Sequence, residues 1–217
     1  MSDAMRKATV SAIIVAAAIC VGMAQAPAAG GQRGAAPAAG GRGGGRGPVL
    51  SVSSTAWPDG GEVPMKYARG GENKSPAFEF NWFNGVTPAT APDTLQSYAV
   101  IFHDIENASA RGPVDTLHWA AFNIPGTAKG LPEGLPGGDL PDGTRNGPGL
   151  NARGGNPSYF GPGAGPGPFH HYVFEFYALD IKLDLAATTT REELLKAMDG
   201  HVIGKAAYVG RYHAPNP

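Results

Sequence analysis

The stretch FHHYVFEFYALD, Phe169–Asp180, decides the fold. On an extended chain alternate side chains share a face, so His170, Tyr172, Phe174 and Phe176 point one way and His171, Val173, Glu175 and Tyr177 the other. One face is thus an aromatic wall that begins with an imidazole. That pattern predicts a buried strand with His170 at the mouth of a pocket and His171 directed outward.

Five more apolar, β-branched or aromatic runs lie between turn-rich segments: Val63–Tyr67, Phe78–Phe83, Ser97–Asp104, Thr116–Ile124 and Val202–His213. A single helix is predicted in TTTREELLKAMDG. There Thr190 serves as N-cap, Glu193 as its capping-box partner, Leu194, Leu195 and Met198 as the apolar positions, and Gly200 as the stop. Many strands and one short helix predict an all-β fold, a β-sandwich of antiparallel sheets with a minor helix. The interval Ala128–Phe169, rich in glycine, proline and asparagine, is too long for an ordinary connection and reads as a functional loop or a mobile excursion.

Glycine and proline make up about a quarter of the 217 residues, the mark of low complexity or of a loop-rich β protein. Both apply, in different places. Met5–Ala24, MRKATVSAIIVAAAICVGMA, places Arg6 and Lys7 before a short apolar run and then small residues, the layout of a secretory signal peptide with cleavage after Ala24. Residues 1–24 are therefore read as a leader, 25–48 as a disordered Gly/Ala/Pro-rich linker, and 49–217 as one domain. The expected mature protein is exported, periplasmic or extracellular, with no integral membrane span after processing. Its only cysteine, Cys20, lies in the leader, so disulfides and thiolate metal sites are excluded from the mature chain. A formal net charge of −1 argues against nucleic acid as a partner.

Three strands each carry a titratable group on an otherwise apolar face. SYAVIFHD aligns Tyr98, Val100, Phe102 and Asp104; TLHWAAFNI aligns His118 with Ala120, Phe122 and Ile124; and His170 heads Tyr172 and two phenylalanines. A buried polar group without a partner costs about 1–3 kcal/mol, so convergence would satisfy all three at once. An apolar pocket with a few convergent polar groups is the usual form of a small-ligand site. His103, His171, His201 and His213 are read as surface or packing residues.

Four motifs, in order, resemble the phosphatidylethanolamine-binding protein family in its bacterial Raf-kinase-inhibitor-like branch: GENKSPAFEFNW, SYAVIFHDIENA, LHWAAFNIP and GPGAGPGPFHHYVFEFYALD. The resemblance covers nearly all of the chain from about Val49. It implies a central antiparallel sheet packed on a smaller one, and a small anion-binding cavity that accepts phosphate-like groups, phospholipid head groups included. Carried over position by position, the cavity residues are Asp104, His118, His170 and Tyr172. Two departures stand out: Ile105, Glu106 and Asn107 replace the proline-containing DPDAP loop, and Ala164 and Gly165 replace paired prolines. Gly163 is expected to offer a backbone N–H to an anion. A carboxylate beside an imidazole favours the charged ring, so the pKa values of His118 and His170 are expected above about 6.5.

The leader and this resemblance together imply an exported, non-enzymatic binding protein for phosphate-containing ligands or phospholipid head groups. One alternative is a protein-interaction or inhibitor module whose pocket is regulatory, with a protein partner. The other is a hydrolase, using Asp104, His118 and His170 as acid, base or metal ligands. Against the latter, these residues lack His-x-x-x-His or paired-carboxylate spacing and the chain has no G-x-S-x-G elbow, so no catalytic residue, metal or cofactor is assigned. Ser75 reads as a structural serine, Gly71–Asn73 as a turn beside the pocket, and Trp82 and Trp119 as core aromatics.

Overall fold

The computed structural model describes residues 47–108, 111–147 and 158–216. The leader and linker expected over 1–48 lie outside them, apart from Gly47 and Pro48. Among the described residues, no helix is long and apolar enough to cross a membrane.

The expected sandwich is observed. Its large sheet is built on four long strands, β5 (Ser97–Ala108), β6 (Asp115–Pro125), β10 (His170–Leu179) and β11 (Val202–Tyr212). Short strands flank them: β2 (Gly61–Glu62), β8 (Gly138–Asp139) and β9 (Arg145–Asn146), giving the order β2-β11-β10-β5-β6-β9-β8. Every neighbouring pair is antiparallel except β2 with β11. The small sheet joins β1 (Val49–Ser53), β3 (Phe78–Asn84) and β4 (Thr87–Ala89), with β7 (Gly130–Leu131) also paired to β3.

Aromatic side chains fill the space between the sheets. Phe78 of the small sheet meets Phe174 and Phe176 of β10 at ring-centroid distances of 4.9 and 4.8 Å, and Phe80 meets Tyr98 at 4.4 Å. These are the separations at which tilted and edge-on rings attract. The other face of the large sheet is covered by helix α1 (Arg191–Met198), whose Leu194 and Met198 pack with Ala99, Ile101, Phe122 and Leu179. With both faces covered, β5 is buried at every residue from Ser97 to Asp104, which is why SYAVIF reads as continuous apolar sequence. The capping box forms as expected: the Glu193 N–H donates to Thr190 Oγ1 at 3.2 Å, and the Thr190 N–H donates to the Glu193 carboxylate at 2.8 Å. Leu195, expected on the apolar side of this helix, is instead exposed.

Two expectations differ. The run Val63–Tyr67 is not a strand: after the Val63 N–H donates to the Arg211 carbonyl, Pro64 offers no N–H, and Met65–Tyr67 turns into a 3-10 helix that buries Tyr67 against Trp57. The second difference lies in β6, where His118, Ala120, Phe122 and Ile124 do not share a face. Phe102 pairs with Trp119 and His103 with Leu117, so His118 is the extra residue of a bulge. A second irregularity follows, where Tyr98 pairs with Ile124 and Val100 with Ala121; next to it Asn123 takes φ 56°, with its amide tied to Leu183. As a result Trp119, Ala121 and Ile124 join the inter-sheet core, while Ala120 and Phe122 face the helix.

Candidate functional site

At the head of β10, Tyr172 lies opposite Asp104 in the ladder with β5. Asp104 is only 2% exposed, so its charge needs partners. The His170 Nδ1–H donates to it, 3.0 and 2.9 Å from the two carboxylate oxygens, and the Glu106 N–H donates to Oδ1 at 3.2 Å. Tyr172, its ladder neighbour, is the group whose ionisation the Asp104 charge opposes. Because Asp104 fixes Nδ1 of His170, the Nε2 edge of this partly exposed ring is left to face elsewhere.

His118 reaches the same place through the bulge. Its ring centroid lies 5.2 Å from that of Tyr172 and 5.4 Å from that of Phe102, both edge-on. Nδ1 is 2.8 Å from the Phe160 carbonyl, which can only accept, so Nδ1 carries the proton and Nε2 of the neutral ring is a lone-pair acceptor. The Phe160 N–H returns a bond to the His118 carbonyl at 3.2 Å, locking loop 158–164 onto the bulge. The expected rise in the His118 pKa is not found. Burial pushes it down, outweighing the Phe160 carbonyl and the Asp104 charge, which pull it up; the nearby Arg69 charge pushes it down further.

Tyr172 is fully buried, and its hydroxyl oxygen accepts from the Gly163 N–H at 3.1 Å and the Ala164 N–H at 3.0 Å. Burial drives its pKa well above that of an ordinary phenol and the Asp104 charge adds to this, while the two N–H groups oppose it. The Gly163 N–H is therefore spent on Tyr172, which corrects its expected role as a free anion donor. The Ala164 bond exists because residue 164 is not proline, which would have no N–H.

The structure thus brings together Asp104, His118, His170 and Tyr172, with Gly163 on the adjoining loop. The remaining histidines lie elsewhere. His171 is exposed and hydrogen-bonded to Glu106 at 2.7 Å; His103, on the opposite face of β5, is buried 2.5 Å from Asp115, which also binds Arg191. His201 pairs with Asp180 at 2.9 Å, and His213 packs edge-on against Phe169. Ser75 accepts from the Leu135 N–H, and the Asn73 side chain accepts from the Gly161 N–H, holding the loop that carries Phe160. Trp82 and Trp119 are buried core residues bonded to Tyr98 and Asn146. Asp104, Glu106 and His170 place donor atoms within 4.8 Å of one another, and the two carboxylates accept hydrogen bonds from His170 and His171. Phe160, Glu106 and Arg69 were not foreseen at the site. Phe160 and Arg69 act through loop contacts that strand alternation does not encode, and Glu106, within β5, acts through its backbone N–H on Asp104 and its carboxylate on His171.

Fold and cluster together define a two-sheet antiparallel sandwich with an aspartate, two histidines and a tyrosine gathered at the head of its central sheet. The chain belongs to the phosphatidylethanolamine-binding protein family, whose family model matches residues 53–213. A UPF0098 protein of Methanothermobacter thermautotrophicus is 38% identical over 164 residues, which cover 75% of this chain and 98% of that one. Among solved structures, a Chlamydia trachomatis homolog of phosphatidylethanolamine-binding protein superposes with a TM-score of 0.63 at 28% identity, over 77% of this chain and 99% of that one. Escherichia coli YbcL shares the fold, with a TM-score of 0.61 at 21% identity over 76% of this chain and 99% of that one.

Proposed function

We propose that this chain is an exported, non-enzymatic binding protein for a small phosphate-bearing ligand, either free or as a phospholipid head group. The observation that carries the reading is the orientation of the two imidazoles. Nδ1 of His170 is held by Asp104 and Nδ1 of His118 by the Phe160 carbonyl, which leaves both Nε2 atoms without a protein hydrogen-bond partner among the described residues. The neutral His118 Nε2 accepts from a protonated phosphate oxygen or a ligand ammonium, and the His170 Nε2 adds a second polar contact beside it. Asp104 and Tyr172 position these rings and the 163–164 loop rather than supply free donors. The arrangement is a binding constellation: the described cluster contains no nucleophile paired with a base. The reading of export comes from Arg6, Lys7 and the apolar run that follows.

Native mass spectrometry of the full chain purified from its own host tests this reading. A co-purified phosphate-bearing molecule, lost in Asp104→Ala, is expected. Apo protein that binds neither inorganic phosphate nor phospholipid when supplied in excess would refute it, as would a protein partner retained equally by Asp104→Ala and His118→Ala.

A further inference from the structure

The clustered side chains do not by themselves make a good anion site. They include one carboxylate, an imidazole engaged with it, a neutral buried imidazole and a phenol, with no permanent positive charge. A phosphate brought near Asp104 needs a cation that does not titrate.

Arg69 meets that need by position. Its backbone N–H donates to the Pro162 carbonyl at 2.9 Å, which fastens residue 69 to the loop whose Phe160 carbonyl holds His118. Its guanidinium lies over the Phe160 ring, 5.5 Å from the centroid, and the other neighbour of that ring is the His118 imidazole at 5.4 Å. A cation on an aromatic face is attracted by the ring quadrupole, so the side chain has a preferred place. Gly163 makes the place available. A Cβ there would stand 3.1 Å from Nε, 3.2 Å from Cζ and 3.4 Å from Nη2 of Arg69, tighter than such contacts normally run. Among the described residues, the guanidinium has no carboxylate partner and makes no side-chain hydrogen bond, and the residue is exposed. It is a cation stacked beside the cluster and uncommitted.

We infer that Arg69 is the specificity-determining cation of this site, selecting ligands with a terminal phosphoryl group by a bidentate guanidinium contact made possible by the missing side chain at Gly163. This rests on the phosphate-binding reading above and adds a residue to it. Planar guanidinium against phosphate is a fork-shaped match that lysine, a point charge, does not reproduce. The structure therefore assigns Gly163 a second role besides its bond to Tyr172, as the floor on which Arg69 lies.

The test is calorimetric titration of inorganic phosphate into the full chain, with a vesicle arm of phosphatidylcholine containing phosphatidic acid read by co-sedimentation. Arg69→Gln is expected to weaken phosphate binding about tenfold, a loss of about 1.4 kcal/mol, and Arg69→Lys to restore only part of it. Gly163→Ala should weaken binding as well, and the Arg69→Gln/Gly163→Ala double variant should be no weaker than Arg69→Gln alone, because both remove one contact. Arg211→Gln removes the same charge from a guanidinium stacked on Phe169 instead, and should leave affinity unchanged. Loss in the phosphate arm identifies a free phosphoryl group as ligand; loss confined to the vesicle arm identifies a lipid head group, and either supports the inference. If wild type binds in one of the arms but Arg69→Gln binds equally well, or Arg211→Gln loses as much, Arg69 has no such role while the phosphate reading stands. If wild type binds in neither arm, both fall.

Discussion

Replacing Tyr172 with phenylalanine removes one oxygen atom and isolates three groups. The ring stays in a fully buried slot of the same shape, so packing is conserved. Two backbone N–H groups, those of Gly163 at 3.1 Å and Ala164 at 3.0 Å, lose their acceptor, and Asp104 loses a neighbouring hydroxyl. A buried N–H left unpaired costs about 1–3 kcal/mol; with Ala164 counted in full and the more open Gly163 at the low end, the loss comes to about 2–4 kcal/mol. For a domain of this size that corresponds to a fall in Tm of roughly 5–15 °C. Urea unfolding followed by tryptophan fluorescence reads the change as a lower midpoint with an unchanged slope. A loss under about 0.5 kcal/mol, the range of an ordinary surface substitution, would show that the loop does not hang on this hydroxyl.

The depressed pKa of His118 gives stability a pH dependence of definite sign. The unfolded chain takes up this proton at about 6.5 and the folded chain only at lower pH, so the contribution is complete above 6.5 and is lost as pH falls below it. Urea midpoints between pH 8 and 5 should decline through this window, before the carboxylates titrate, and His118→Gln should flatten the decline; an unchanged profile would contradict it. A Cβ at residue 161 would lie 2.1 Å from the Tyr67 carbonyl oxygen, so Gly161→Ala must push loop 158–164 outward, with an expected loss of about 1–3 kcal/mol in thermal unfolding experiments. His170→Ala should reduce phosphate binding in equilibrium dialysis at least several-fold, whereas His171→Ala, exposed and paired with Glu106, should not; equal losses would mean that the wrong face of β10 has been assigned.

What was legible in the sequence, and what was not, follows from the range of the interactions. In β10 the register with β5 runs without a shift from Tyr172 to Leu179, and His170 continues the strand against β11, so reading alternate residues placed His170, Tyr172, Phe174 and Phe176 correctly. The same reading placed Asp104. In β6 it failed, because two bulges shift the phase and no local composition marks them; His118 was found through a family motif and through being polar in an apolar run, while its assigned neighbours were wrong. The capping box of α1 is a contact between residues three apart and was readable directly. Phe160, Arg69 and the hydroxyl-to-loop bonds of Tyr172 depend on loop 158–164 folding back over β6 and β10, a long-range closure that a stretch of glycine and proline does not announce. The pKa of His118 went the opposite way from expectation because burial, invisible along the chain, outweighs the aspartate charge that was visible.

The most direct measurement is a long-range proton–nitrogen NMR spectrum of the six imidazoles in the full chain, recorded while inorganic phosphate is added. Saturable shifts at Nε2 of His118 and His170, with His103, His171, His201 and His213 unmoved, are the predicted result. Shifts confined to the other four rings, or none at millimolar phosphate, would contradict a phosphate site built on Asp104, His118, His170 and Tyr172.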